Sequence, residues 1–229
     1  MNLLKIALAS AAASVALGGA AMAQDLTLSY NVGVASDYVF RGVSNSNEDP
    51  QIFGGVDATY GMGYAGVWAS NVDFGLDDPT TEIDAYIGVK PTIGDLNLDL
   101  GLIYYGYVED KGMTPGSFSY LELKAAGSWA VGPATVGVAG YYSPEFPGKT
   151  GYGLYLEANA AMPVAEKLTL SGALGNQEID KGTSYSTWNL GLAYAVTSKL
   201  TADVRYSDTT EDFGDLAGSR FTVALKAAF

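Results

Sequence analysis

The sequence predicts an all-β fold, namely a transmembrane antiparallel up-and-down β-barrel of twelve strands. Three observations support this prediction. Apolar residues alternate with small or polar residues along most of the chain, which is typical of strands that face two different environments. Short and long connections alternate between these strands, as they do in outer-membrane barrels. Charged residues make up only 16% of the chain, against roughly 25% in an average soluble domain.

The first 23 residues are predicted to be a cleaved signal peptide rather than part of the barrel. Lys5 supplies a positive charge, the segment "IALASAAASVALGGA" is weakly hydrophobic, and "AMA" at Ala21–Ala23 fits the small-x-small cleavage rule. A retained membrane anchor is the alternative, but the apolar run is short and rich in alanine. We therefore expect residues 24–229 to form one barrel domain in the cell outer membrane of a Gram-negative bacterium.

The alternation is clear in the first predicted strand, "LTLSYNVGVASDYVF". Its even-numbered residues are mostly apolar, and they include Leu28, Tyr30, Val32, Val34 and Phe40. Its odd-numbered residues are mostly small or polar, and this polar row continues to Arg41. An arginine that faced lipid at the bilayer midplane would cost roughly 2–4 kcal/mol, so we expect the polar row to face the lumen.

Such runs predict strands at 25–41, 51–60, 64–72, 82–91, 95–107, 118–131, 134–142, 151–162, 167–176, 184–196, 199–207 and 219–229. A β-sandwich would also show alternation, but it would not place short turns at one end and longer loops at the other. Aromatic girdles are expected at both ends. The long-loop girdle would contain Tyr38, Phe40, Tyr104, Tyr107, Phe118, Tyr142, Trp188 and Tyr206, and the short-turn girdle Tyr60, Tyr64, Trp129, Tyr194 and Phe229.

The chain contains neither histidine nor cysteine. A Ser-His-Asp triad, histidine ligands and thiolate metal sites are therefore excluded, and we expect no enzymatic activity, no cofactor and no metal site. A hydrolase that uses carboxylates alone is the enzymatic alternative that remains. The net charge of −13 argues against nucleic-acid binding.

Alternate residues of a strand point to opposite faces of the sheet, and we call this alternation strand parity. Strand parity also predicts which charged residues face the lumen. The pore-lining residues are expected to be Asp37, Arg41, Asp57, Asp84, Glu122, Lys124, Glu157, Asp203, Arg205 and Arg220, with Glu82, Lys90, Asp99 and Lys226 on the same face. We expect the three arginines to pair with carboxylates such as Asp37, Asp203 and Glu157. Two interpretations remain open: the charges tune which solutes pass a narrow pore, or neutralised pairs simply fill a small barrel.

Most of the negative charge is predicted to lie in the external loops, with fourteen acidic residues against three lysines, a net charge of −11. The acidic residues are Glu48, Asp49, Asp73, Asp77, Asp78, Glu109, Asp110, Glu145, Glu178, Asp180, Asp208, Glu211, Asp212 and Asp215, and the lysines are Lys111, Lys149 and Lys181. The segments "DTTEDFGD" and "DFGLDD" do not match the spacing of calcium-binding EF-hand loops. Solvated loops with a diffuse attraction for cations are therefore expected.

The last predicted strand carries a candidate signal for membrane insertion. Phe221, Val223, Leu225 and Phe229 lie on its apolar row, which ends in an aromatic residue. This pattern is similar to the signal that the outer-membrane insertion machinery reads.

The segments "SDYVFRGVS" (Ser36–Ser44), "PQIFGGVDA" and "YAGVWASNVD" (Tyr64–Asp73) resemble the TorF-like family of proteobacterial outer-membrane proteins, whose porin role is itself inferred. The resemblance extends over residues 24–229, although the later strands are generic. It implies an outer-membrane β-barrel and brings no catalytic residues.

The predicted function is an outer-membrane, porin-like channel for passive diffusion of small hydrophilic solutes. A barrel of twelve strands is narrower than the 16–18-stranded porins, and the excess of carboxylates predicts a weak preference for cations. The alternative is a closed structural or surface-interaction barrel with acidic extracellular loops. The expected partners are outer-membrane lipid and lipopolysaccharide, the insertion machinery and small hydrophilic solutes, and no nucleic acid.

Overall fold

The computed structural model describes residues 25–75, 79–108, 118–211 and 213–229. The predicted signal peptide lies outside these residues. Six of the predicted loop charges also lie outside them, namely Asp77, Asp78, Glu109, Asp110, Lys111 and Asp212, as does the side chain of Asp215.

No helix in the described part of the chain is both long and apolar enough to cross a membrane.

The chain forms a closed antiparallel barrel of twelve strands, as the sequence predicted. The strands are β1 (Thr27–Ala35), β2 (Gln51–Tyr60), β3 (Gly63–Asn71), β4 (Thr81–Val89), β5 (Leu96–Val108), β6 (Tyr120–Val131), β7 (Ala134–Ser143), β8 (Gly153–Ala165), β9 (Leu168–Ile179), β10 (Tyr185–Ala195), β11 (Leu200–Thr209) and β12 (Arg220–Ala228). Each strand pairs with the next, and β12 pairs with β1, so the sheet has no free edge. Closure satisfies the backbone hydrogen bonds that water could not satisfy inside a bilayer.

The seam between the first and last strands is in continuous register. Asn31 lies opposite Ala228, and Ala35 lies opposite Ala224. The backbones of Tyr30 and Phe229 exchange two hydrogen bonds, with N···O distances of 3.1 and 2.9 Å. Phe229 therefore takes part in closing the barrel.

The outer surface is apolar, and the apolar residues of each strand face outward as the sequence predicted. Its most exposed large side chains include Leu174 at 68%, Phe221 at 73% and Ile87 at 60%. The candidate insertion residues Phe221, Val223, Leu225 and Phe229 all lie exposed on this surface. Water would disfavour so many exposed apolar side chains, whereas lipid hydrocarbon accommodates them.

The first predicted strand is too long. Strand β1 ends at Ala35, six residues before the predicted end at residue 41. The chain then forms a small hairpin, in which Val39–Phe40 pairs with Val43–Ser44. Arg41 and Gly42 make its turn with φ angles of 50° and 83°, and positive φ at both positions is what a tight type I′ turn requires. Arg41 is therefore a turn residue and not a residue of the barrel wall.

The two aromatic girdles are only partly as predicted. Tyr104, Tyr142, Trp188, Tyr60, Trp129, Tyr194 and Phe229 are exposed on the outer surface. Tyr38, Phe40 and Tyr64 instead contact lumen residues, and Tyr107 lies on the inward face of β5. Strand parity explains Tyr107, which follows the inward Tyr105 by two residues, and the hairpin explains Tyr38 and Phe40.

Candidate functional site

The hairpin after β1 folds into the barrel rather than away from it. We call residues 36–46 the inward hairpin. At its base, the Asp37 carboxylate accepts hydrogen bonds from the hydroxyls of Ser44 (2.6 Å) and Ser46 (3.0 Å). The Arg220 guanidinium of β12 lies 3.0 Å from the same carboxylate. Asp37 is thus an internal anchor of the hairpin, and the wall position that parity predicted for it is wrong.

A second contact ties the inward hairpin to the wall on the other side of its base. The Tyr38 hydroxyl donates to Glu82 of β4 at 2.9 Å, and the Tyr38 ring packs edge-on against Trp68 of β3. The backbone of Asn45 accepts a hydrogen bond from Asp73, just beyond β3. The base of the hairpin is therefore held on both sides, by β12 and by β3 and β4.

At the tip, the Arg41 guanidinium makes a two-pronged ion pair with Glu122 of β6. Its two terminal nitrogens lie 2.8 and 2.7 Å from the two carboxylate oxygens, and one of them also donates to Gln177 of β9 at 2.9 Å. The side chains of Arg41 and Glu122 are only 6% and 1% exposed. Bidentate pairs of this kind are among the strongest hydrogen-bonded contacts in proteins, and burial removes competition from water.

Aromatic rings surround the same guanidinium. Its carbon lies 4.4 Å from the ring centroid of Tyr155, 5.0 Å from that of Tyr141 and 4.7 Å from that of Phe40. These distances are within the range of cation–π attraction. We call Phe40, Glu122, Tyr141, Tyr155 and Gln177 the arginine cage.

The register of the wall strands brings the cage together. Tyr141 of β7 lies directly opposite Tyr155 of β8, and Tyr155 lies opposite Gln177 of β9. Gly175 provides the space for the Tyr155 ring, because a β-carbon at Gly175 would approach the Tyr155 hydroxyl to 2.2 Å. The cage thus depends on one glycine and on three cross-strand neighbours at a single level of the barrel.

The hairpin tip contacts the wall on two sides. A β-carbon on Gly42 would lie 2.3 Å from the hydroxyl of Thr187 on β10 and 2.5 Å from the methyl of Thr209 on β11. Strands β10 and β11 lie only three and two positions from β1 in the ring of twelve, whereas β6, which the Arg41 side chain reaches, lies almost opposite β1. With its arginine, the hairpin therefore crosses the lumen. It lies at the long-loop end, because Glu122 and Thr187 are each the third residue of their strands from that end.

Further into the barrel, charged residues of the wall pair with one another, either between neighbouring strands or within one strand. Lys124 lies 2.8 Å from Asp99, and Lys90 lies 3.9 Å from the same carboxylate. Arg205 lies 3.1 Å from Asp203. Arg205 also donates to Asn189 at 2.6 Å and to Ser171 at 3.0 Å, so its charge is well satisfied.

The remaining lumen carboxylates are hydrogen-bonded mainly to tyrosine. Asp57 accepts from the Tyr86 hydroxyl at 2.6 Å. Glu157 accepts from the Tyr155 hydroxyl and from the Asn159 amide, both at 3.0 Å. Asp84 is buried at 7% exposure, and one of its oxygens finds no partner among the described residues. The tyrosine hydroxyls therefore supply donors to Asp57 and Glu157, but not to every oxygen of Asp84.

All ten residues that the sequence predicts to line the pore have their side chains inside the barrel. Eight of them lie on wall strands, whereas Asp37 and Arg41 lie on the inward hairpin. The arginine pairs with Asp203 and Asp37 are present, made by Arg205 and Arg220. Arg41 pairs instead with Glu122, and Glu157 makes no ion pair with a described cation. Whether these residues act on a permeating solute stays a prediction.

Sequence reasoning missed the neutral members of this site. Gln177 and the inward tyrosines Tyr105, Tyr141, Tyr155 and Tyr185 are at most 9% exposed. A usable signal was present, because Tyr155 precedes the inward Glu157 by two residues and so shares its face. Among the described residues, no three acidic side chains are arranged as a metal site.

Comparison with solved structures places the fold among outer-membrane porins. The KdgM porin matches with a TM-score of 0.60 at 10% identity, covering 88% of this chain and 98% of that one. The same statistics hold for the KdgM porin in complex with disordered oligogalacturonate. The NanC porin matches with a TM-score of 0.56 at 9% identity, covering 89% of this chain and 99% of that one. At such low identity the likeness concerns the fold alone.

No curated protein matches the sequence. One family model does, over residues 19–229, and its description is "Bacterial protein of unknown function (Gcw_chp)". Because that match spans the whole barrel, the chain belongs to the Gcw_chp family of bacterial proteins.

Proposed function

We propose that the protein is an outer-membrane channel for passive diffusion of small hydrophilic solutes. The observation that carries this proposal is the contrast between the two faces of the barrel wall. The outer face is apolar, whereas the inner face bears ion pairs and hydrogen-bonded carboxylates from the long-loop end to Lys90 near the short turns. A polar lining of this kind supports the passage of hydrated solutes. The porin fold of the KdgM and NanC proteins is consistent with it.

The inward hairpin supports a narrow passage. It spans the lumen at the long-loop end, where Arg41, Glu122 and Gln177 are almost fully buried. Solutes would have to pass beside the hairpin or displace it. We therefore expect a channel for small solutes only.

The charges favour a weak preference for cations. The lumen holds eight acidic side chains and six basic ones. Asp57, Glu82, Asp84 and Glu157 make no ion pair with a described cation, while the loops at the long-loop rim are rich in carboxylates. Charges within about a Debye length, ~10 Å at 0.1 M salt, would dominate, so the preference would weaken as salt rises.

The proposal also includes a location in the outer membrane and contacts with its lipids and with the insertion machinery. The apolar outer surface is suited to lipid and to lipopolysaccharide, and the row from Phe221 to Phe229 is suited to the insertion machinery. The resemblance of Ser36–Ser44 to the TorF-like family supports a place in the outer membrane of a Gram-negative bacterium.

A closed barrel with a structural or surface-binding role is the second candidate. The specific observation that favours it is again the inward hairpin, which fills the lumen with buried side chains at the level of Glu122. A closed barrel of this kind would expose its acidic loops to a partner and would pass no solute.

Liposome swelling distinguishes the two candidates. Purified protein is placed in vesicles, and neutral sugars of increasing size are added outside. The channel proposal expects swelling with the smallest sugars and a sharp loss with larger ones. A variant in which a short Ser-Gly linker replaces Asp37–Ser46 should pass larger sugars than the parent does. If neither the parent nor this variant passes any sugar, the channel proposal is wrong.

A further inference from the structure

We propose that the arginine cage is a binding site for guanidinium-bearing solutes, which Arg41 occupies as a tethered ligand. A free guanidinium compound would compete with Arg41 for the cage, release the tip of the inward hairpin and widen the passage. The widening rests on the proposed channel function, whereas the binding of guanidinium to the cage does not.

The chemistry of the cage fits this ligand class closely. A planar guanidinium presents paired N–H donors to a carboxylate, and Glu122 accepts two of them from Arg41 at 2.8 and 2.7 Å. Gln177 accepts a further hydrogen bond at 2.9 Å. Tyr141 and Tyr155 supply aromatic surfaces for the delocalised charge. An alkylammonium or sodium ion cannot make the two-pronged contact and should compete less well.

The wall would keep most of the cage if the hairpin moved. Glu122, Tyr141, Tyr155 and Gln177 lie on four consecutive barrel strands, and only Phe40 belongs to the hairpin. Glu122 also accepts a hydrogen bond from the Tyr105 hydroxyl at 3.1 Å, which fixes its carboxylate independently of Arg41. The site is therefore built into the rigid sheet.

The tip is attached to the wall through side chains. Within the described residues, the strand-like hydrogen bonds of Val39–Phe40 and Val43–Ser44 are made to each other, not to the barrel. The backbone contacts to the barrel lie at the base, at Ser36 and Asn45. The tip can therefore leave the cage without breaking the barrel sheet.

The turn residue itself points to a role for the side chain. Arg41 has a φ of 50°, a conformation that glycine, asparagine or aspartate adopts with less strain. A purely structural turn would be better served by Asn-Gly. An arginine at this turn position is explained by the contacts that its guanidinium makes in the arginine cage.

Cysteine modification measures tip release directly, because the chain has no native cysteine. Thr187 lies under the tip and is 6% exposed, so Thr187→Cys reports when the tip lifts. The reagent is methyl methanethiosulfonate, and the added compounds are guanidinium chloride, sodium chloride and urea at equal concentration. We expect guanidinium, and neither sodium chloride nor urea, to raise the modification rate by about tenfold, equivalent to 1.4 kcal/mol. A Thr201→Cys variant, near the short turns, should not respond.

Two further variants decide whether the effect belongs to the cage. Glu122→Gln should make modification of Thr187→Cys fast and independent of guanidinium. The matched variant Asp203→Asn, which breaks an arginine pair away from the hairpin, should leave the guanidinium response intact. Equal rates with guanidinium and sodium chloride would overturn the proposal, and so would a response that persists in Glu122→Gln.

A parallel conductance measurement separates this inference from the proposed function. If guanidinium speeds modification but neither the parent nor the hairpin-deleted barrel conducts, the cage binds guanidinium and the channel function is wrong. If the parent conducts but modification ignores guanidinium, the channel function stands and the cage inference is wrong.

Discussion

The substitution Glu122→Gln should undock the inward hairpin while leaving the barrel intact. It removes the negative charge that receives both prongs of the Arg41 guanidinium, yet it keeps the size of the side chain. Arg41 would then remain buried at 6% side-chain exposure without an anion. The neutral amide oxygens of Gln177 and of the new glutamine, together with the aromatic rings, would be its remaining partners.

The size of the effect follows from the burial of the pair. Removing one partner of a buried ion pair typically costs about 3–5 kcal/mol, because the other charge is left uncompensated. When the hairpin undocks, Arg41 regains water, so this cost acts on the docked state alone. Taking about 3 kcal/mol, and 1.4 kcal/mol for each factor of ten, the undocked population should rise on the order of a hundredfold.

Hydrogen exchange of residues 36–46, followed by mass spectrometry, is the appropriate assay. An isolated two-stranded hairpin is marginally stable in water, so the amides of Phe40 and Val43 should exchange once the tip leaves the cage. We expect much faster exchange in Glu122→Gln and unchanged exchange in the barrel strands. Asp203→Asn is the matched control and should not affect the hairpin. Equal hairpin exchange in the parent and in Glu122→Gln would show that the ion pair between Arg41 and Glu122 does not hold the hairpin in place.

Three further predictions concern the turn, the pore charge and the seam. Gly42→Ala should loosen the tip and speed hairpin exchange, because φ is 83° and the new methyl would meet Thr187; strain of this kind costs on the order of 1–3 kcal/mol. Arg205→Ser removes a positive charge from the lumen, so the reversal potential measured across a salt gradient should show a stronger cation preference at low salt. A shift that does not shrink at high salt would count against an electrostatic origin. Deleting Phe229 removes two backbone hydrogen bonds to Tyr30, so heat-modifiable barrel in the membrane should fall well below the level seen when the loop residue Phe213 is deleted. Similar membrane levels of those two deletions would contradict this role of the seam.

Period-two alternation was enough to predict the barrel because every wall strand faces lipid on one side and the lumen on the other. The second predicted strand, 51–60, coincides with β2, and the eighth, 151–162, is close to β8 (Gly153–Ala165). The first predicted strand is too long because the alternation of apolar and polar residues continues through Tyr38, Val39 and Phe40 of the inward hairpin. The turn at Arg41–Gly42 was not recognised, since arginine seldom adopts positive φ.

The sequence predicts on which side of a strand a residue lies better than it predicts which side chains contact one another in the lumen. Parity placed Glu122 in the lumen, but it gives neither the height of a residue in the barrel nor its neighbours across the lumen. Arg41 contacts Glu122 only because the inward hairpin places Arg41 inside the lumen, at the height of Glu122 on β6. Gln177 was missed because it carries no charge, although its parity places it on the same face of β9 as Gly175.

Single-channel recording in planar bilayers shows whether the barrel is a channel that the inward hairpin narrows. The two samples are the purified parent protein and the barrel in which a Ser-Gly linker replaces Asp37–Ser46. We expect small, steady conductance steps for the parent and larger steps for the hairpin-deleted barrel. If the folded, hairpin-deleted barrel inserts into the bilayer and passes no current, the protein is not a channel, and the structural or surface-binding role of a closed barrel remains.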